Sequence, residues 1–162
     1  MGEEITTAKE AADDGLVLAF GRLLGAANRL EYLLGRAIEE QCGISHLMYE
    51  VLLILAREGE AGMPMRAISR EQVLTTGGVT RLIDRMEALG LVERGDNPDD
   101  RRGRLVRLTE AGERKAVEAT RVHRENIERY FVAPIPAEHR EWFAEDLRKL
   151  SHAARDAIPR LR

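Results

Sequence analysis

A single cysteine, Cys42, stands in the 162 residues, so no internal disulfide can form and a reducing compartment fits. Aromatic residues make up only 4% of the chain, too few for a platform that stacks single-stranded bases. Positive charge is not in excess either. A net charge of −3 excludes a generally sticky polycation but leaves room for a nucleic-acid reader whose cations gather on one face. The longest apolar run, Val51 to Ala56, is far too short to span a bilayer. The first residues, MGEEITTAKEAADDG, hold neither a basic n-region nor an apolar stretch, so no signal peptide is expected and the expected location is the cytoplasm. There is no P-loop, no G-x-S-x-G, no H-E-x-x-H and no dinucleotide fingerprint. Neither enzyme activity nor a cofactor is therefore expected. His46, His123, His139 and His152 are never four apart and Cys42 has no C-x-x-C partner, so no metal site is expected.

What is present is concentrated between Leu74 and Glu113. Val79, Leu82, Ile83, Met86 and Leu89 form one stripe at a helical period. Thr75 and Thr76 stand where a hydroxyl would cap the helix start. Gly90 stands where a left-handed residue would stop it. The opposite face offers Gly78, Thr80, Arg81, Asp84, Arg85 and Ala88: small and hydroxyl groups first, arginines behind. Short side chains allow approach to base edges in a major groove, and an arginine a turn later reaches phosphate.

A short strand, Leu91 to Arg94, follows. Gly95, Asp96, Asn97, Pro98 and Asp99 read as a turn. Arg104 to Thr109 returns as a second strand, with Val106 and Leu108 facing one way and Arg107 the other. Four arginines lie between Arg101 and Arg107. A guanidinium-rich hairpin beside such a helix suits a narrow, electronegative minor groove. With a short helix predicted from Met65 to about Gln72, the outline is a winged helix-turn-helix.

The stretch Asp100-Arg101-Arg102-Gly103-Arg104-Leu105-Val106-Arg107-Leu108-Thr109 resembles the D-x-R-x-x-x-V-x-L-T wing signature of MarR-family transcriptional regulators at every specified position. Val79 to Glu87 resembles that family's recognition helix, and Gly90 to Arg94 its lead-in to the wing. The resemblance implies a homodimer on a pseudopalindromic duplex. Thr75, Thr76, Gly78 and Thr80 would lie nearest the bases. Arg85 would hold phosphate, Arg102 would enter the minor groove, and Arg101 and Arg104 would touch phosphate. Asp100 would pair with Arg81 and Arg102 and brace the wing. Gly77-Gly78 departs from the Ser or Thr usual in the family, which implies closer backbone approach and more reliance on shape. The resemblance also implies a small anionic or phenolic ligand between dimer helices and reader, for which Arg29, Tyr32, His46, Tyr49 and Glu50 are the candidates.

The flanks read as helices. Leu16, Phe20, Leu23, Ala27, Leu30, Leu34 and Ile38 alternate steps of four and three, as at a helix–helix seam. Phe143, Leu147, Leu150, Ala154 and Ile158 do much the same after Pro134 and Pro136. Between them, Leu47, Val51, Ile54 and Leu55 mark a helix opened by Ser45, and Ala116, Thr120, His123, Ile127 and Phe131 one opened by Thr109. The expected fold is mainly α with a small β-wing: an extension and dimerisation helix over residues 1–43, a winged helix-turn-helix over 44–108, and C-terminal dimerisation helices over 109–162. The competing readings are a winged-helix protein-interaction module and a redox- or metal-responsive regulator of the same fold, with Cys42 as the candidate thiol.

Overall fold

The computed structural model describes residues 5–72, 75–97 and 103–157. A short helix α1 (Ala8–Asp13) is closed by a capping box in which the Thr7 hydroxyl accepts from Glu10 N–H and the Glu10 carboxylate accepts from Thr7 N–H. Asp14 caps the long α2 (Gly15–Cys42), which ends at Gly43 in the left-handed region, φ 70°. Ser45 accepts from Met48 N–H and opens α3 (His46–Glu58). A 3-10 turn (Gly59–Ala61) leads to a two-residue strand β1 (Met63–Pro64), then α4 (Met65–Glu71) and α5 (Thr76–Ala88). The wing is β2 (Val92–Asp96) and β3 (Arg104–Leu108), followed by α6 (Glu110–Ile127), a π-helical turn (Glu128–Val132), a 3-10 turn (Ala137–His139) and α7 (Arg140–Ala157).

The sheet is antiparallel with order β1-β3-β2; Met63 pairs with Val106, and Val106 in turn with Arg94. The core gathers Ile38 of α2, Met48, Val51, Leu52 and Leu55 of α3, Ile68 of α4, Val79, Ile83 and Met86 of α5, Val92 and Val106 of the wing, and Ala116 and Ala119 of α6. Such interiors are non-directional in chemistry but specific in shape. The described chain divides in sequence between Arg124 and Glu125 into two compact units. Within the second, Phe131 and Phe143 pack with ring centroids 6.0 Å apart. Among the described residues no helix is long and apolar enough to cross a membrane.

Several expectations shift. In α3 the buried residues are Met48, Tyr49, Val51, Leu52 and Leu55, while Leu47 and Ile54 are half-buried. Residues 48, 49, 52 and 55 face the core because α3 is packed on two sides, by α2 and by β3. Gly95 and Asp96 belong to β2 rather than to the turn, and Leu89 is half exposed at the end of α5. β1, too short to show a period, was not expected. Pro98, Asp99 and Ile158 lie outside the described residues.

Candidate nucleic-acid interface

α5 is specified at both ends. The Thr75 hydroxyl accepts from Gly78 N–H at 3.1 Å, so Thr75 is the cap and Thr76 the first helical residue. At the other end Gly90 N–H reaches Glu87 O at 2.8 Å and Leu91 N–H reaches Met86 O at 3.0 Å, the paired bonds of a Schellman stop, with Gly90 at φ 69°. Burying Val79, Ile83 and Met86 turns Gly77, Thr80, Arg81, Asp84 and Arg85 to solvent. Thr75 is exposed as well, and Gly78 is half-buried. Among the described residues Arg81 and Arg85 form no ion pair, and Asp100, the expected partner of Arg81, lies outside them.

The wing base is braced by a residue the sequence reading did not single out. Arg94 on β2 donates through Nη1 to Glu87 and through Nη2 to Asp84 of α5, both at 2.5 Å. Its side chain is largely covered, whereas the two carboxylates are about half exposed. The fork geometry of a guanidinium allows both bonds at once and thereby sets the distance from wing to helix. The signal was available in the sequence, since Asp84 and Glu87 are three apart on α5 and share a face. Arg104 pairs with Asp96 across the strands at 2.7 Å in an exposed position, a weak pair that phosphate could replace at small cost. Arg107 is structural. Its Nε donates to Glu60 O at 2.7 Å, and its side chain runs where a Cβ on Gly62 or Gly95 would stand. Asp100, Arg101 and Arg102 lie outside the described residues.

Arg94→Ala should weaken duplex binding about tenfold while the melting temperature falls by only a few degrees, since a partly exposed pair contributes about 1 kcal/mol. Anisotropy titration beside circular dichroism separates the two effects. Equal affinity would mean the wing holds its position without this brace.

Of the residues expected to line a ligand cleft, His46 and Tyr49 come together, with ring centroids 6.2 Å apart. His123 of α6 joins them at 5.2 Å from His46 and 5.1 Å from Tyr49. Glu50 is half-buried, Arg29 is exposed, and Tyr32 is 66% exposed on α2. No ring contact ties Tyr32 to the cluster among the described residues. Cys42 is buried at the end of α2 beneath a Lys115 ammonium that donates to its carbonyl at 3.0 Å. Burial pushes its thiol up, the opposite of the exposed, acidic thiol an oxidant sensor requires. Among the described residues no group of three or more His, Cys, Asp or Glu is placed to hold a metal.

A capped helix with its small and cationic face outward, preceded by α3 and α4 and followed by a two-stranded hairpin pinned to it, defines a winged helix-turn-helix. The family model described as "MarR family" matches residues 43–103. Transcriptional regulator HosA of Escherichia coli O111:H- is 30% identical over 105 residues, 65% of this chain and 76% of HosA. The HTH-type transcriptional regulator PapX of Escherichia coli is 36% identical over 70 residues, a match spanning 43% of either chain. Sco3205 of Streptomyces coelicolor, a MarR-family regulator solved in complex with DNA, superposes with a TM-score of 0.76 over 94% of this chain and 91% of its own, at 23% identity. The chain belongs to the MarR family of transcriptional regulators and not to an enzyme family.

Proposed function

We propose that the protein is a homodimeric regulator of transcription that binds a pseudopalindromic duplex, with α5 of each protomer in successive major grooves ~34–36 Å apart. The observation that carries this reading is the outward face of α5, with Arg81 and Arg85 free of ion pairs among the described residues, set beside a wing fixed by Arg94. Thr75, Thr76, Gly78 and Thr80 lie nearest the bases. Arg102 enters the minor groove, Arg101 and Arg104 touch phosphate, and Asp100 braces the wing against the helix. The stripe of exposed apolar residues on α2, which includes Leu16, Phe20 and Leu24, supports the homodimer. A small anionic or phenolic molecule at the His46–Tyr49 cluster would relieve repression by favouring a different groove spacing. A cytoplasmic location follows from this reading.

Fluorescence anisotropy on duplex from the protein's own upstream region, against a shuffled duplex and over a salt series, tests it. Binding should be sequence-selective, with log K falling against log salt at a slope of about −0.9 per phosphate neutralised. Arg102→Ala should lose about tenfold in affinity for the specific duplex. Weak, equal and salt-insensitive binding to both duplexes would favour a protein-interaction module instead.

A further inference from the structure

His46 of α3 and His123 of α6 meet in a three-ring cluster with Tyr49, whose ring stands at 61° to that of His123. Thr120, one turn before His123, donates its hydroxyl proton to Ala116 O at 2.7 Å. The bond of 3.1 Å between the Tyr49 and Thr120 hydroxyls therefore has Tyr49 as donor. With the two hydroxyls assigned, Nδ1 of His123 stands out: it is buried and has no hydrogen-bond partner among the described residues. A buried, unmatched nitrogen carries a desolvation cost that native structures seldom leave without a use.

We propose that the His46–His123 pair is a proton-responsive latch, holding α6 to α3 while the His123 ring is neutral and loosening α6, with loss of DNA affinity, when His123 takes a proton. The DNA half of this inference rests on the function proposed above. Protonation would place an N–H donor on both nitrogens of a half-buried ring whose buried Nδ1 has no acceptor among the described residues, and a positive charge beside a second imidazole. The titratable groups facing His123 from α3 are His46 and Tyr49. Along α6 its neighbour Thr120 is neutral, and Gly35 of α2 lies against the His46 β-carbon. Burial first, and His46 second, hold the His123 imidazole below the ordinary histidine range, and no carboxylate among the described residues acts on it.

The sign follows from linkage. Above the unfolded value of about 6.5 both folded and unfolded chains hold a neutral ring, and the contact has its full strength. As pH falls below that value the unfolded or released state binds the proton that the folded site resists. The latch weakens until the depressed folded value is passed. α6 starts directly after wing strand β3, so one helix carries both the wing attachment and the latch.

The test compares wild type with His123→Phe, an uncharged ring of similar shape, at about pH 7.5 and about pH 5.5 and constant ionic strength. Wild type should lose about tenfold in duplex affinity on acidification, and His123→Phe less than about twofold from an unchanged starting value. The melting temperature of wild type should fall more than that of the variant over the same interval. By proton NMR the His123 ring should titrate below the ordinary range, and move up in His46→Gln. Parallel pH profiles of wild type and variant, or a His123 that titrates at the ordinary value, would overturn the latch. A wild type that binds no duplex at either pH would instead sink the proposed function, and melting and NMR would then decide the latch alone. If His123→Phe does not fold, the His46→Gln comparison carries the same two readouts.

Discussion

Replacing Gly112 by alanine should destabilise the fold by about 3 kcal/mol and lower the melting temperature by roughly 10 °C, because the added methyl meets backbone that cannot yield. A Cβ at this position would lie deep inside van der Waals contact of Leu91 O, 3.0 Å from Leu91 C and 3.3 Å from a Leu108 methyl. The same Leu91 carbonyl accepts from Thr109 N–H at 3.1 Å, while the Thr109 hydroxyl donates to Gly90 O at 2.6 Å and accepts from Gly112 N–H at 3.0 Å. The end of α5, the start of β2 and the start of α6 are thus tied within four residues' reach of one another. Pushing α6 away breaks that knot and shifts both wing strands. Gly77→Ala is the control: nothing lies within 4 Å of its built Cβ and its helix gains propensity, so stability should hold or rise slightly. Unfolding followed by circular dichroism measures both. An unaffected Gly112→Ala would mean that α6 does not start against Leu91.

This knot illustrates what the chain discloses as a string and what it withholds. The caps of α5 were legible because they depend on neighbours in sequence: Thr75 three residues before Gly78, and Gly90 just past the last turn. The period of Val79, Ile83 and Met86 was legible for the same reason. The reason for Gly112 could not be read locally, since it arises from Leu91, twenty-one positions earlier in the chain and just ahead of β2. The role of Arg107 was hidden likewise. The sequence placed it only on the strand face opposite Val106 and Leu108, and Glu60 O, 47 positions earlier in the chain, holds it in place. The wing was expected to be braced against the helix by Asp100 paired with Arg81 and Arg102, of which Asp100 and Arg102 lie outside the described residues; within them a brace stands at Arg94 with Asp84 and Glu87. His123 was read as one member of a weak stripe, and only packing of α6 on α3 sets it against His46 and Tyr49. Local chemistry was thus readable, and long-range partners were not.

The largest effect on assembly is expected from the double substitution Leu16→Glu with Phe20→Glu, which should convert the proposed homodimer into a monomer that keeps its helix content. α2 is about 42 Å long at 1.5 Å per residue, yet its buried residues, Leu34, Ile38 and Cys42, all lie in its last third. Ahead of them Leu16 is 83% exposed and Phe20 61%, with Val17, Leu24 and Leu33 also open to solvent. A long helix with so little of its own chain against it is marginal in water, and a second copy laying the same stripe alongside would supply the missing contact. Each fully buried leucine or phenylalanine contributes about 1.5–3 kcal/mol, and twofold symmetry counts each substitution twice. The four lost contacts then amount to roughly 6 kcal/mol or more, so the dimer dissociation constant should rise by more than about a thousandfold. The substituted residues touch nothing in the core of their own protomer, so the reader should stay folded. Sedimentation velocity reads the assembly and circular dichroism the helices. DNA affinity should fall with the dimer, because two half-sites bound by one body are worth far more than two bound separately. A double variant that still sediments as a dimer would move the interface off α2 and leave its exposed stripe to another partner.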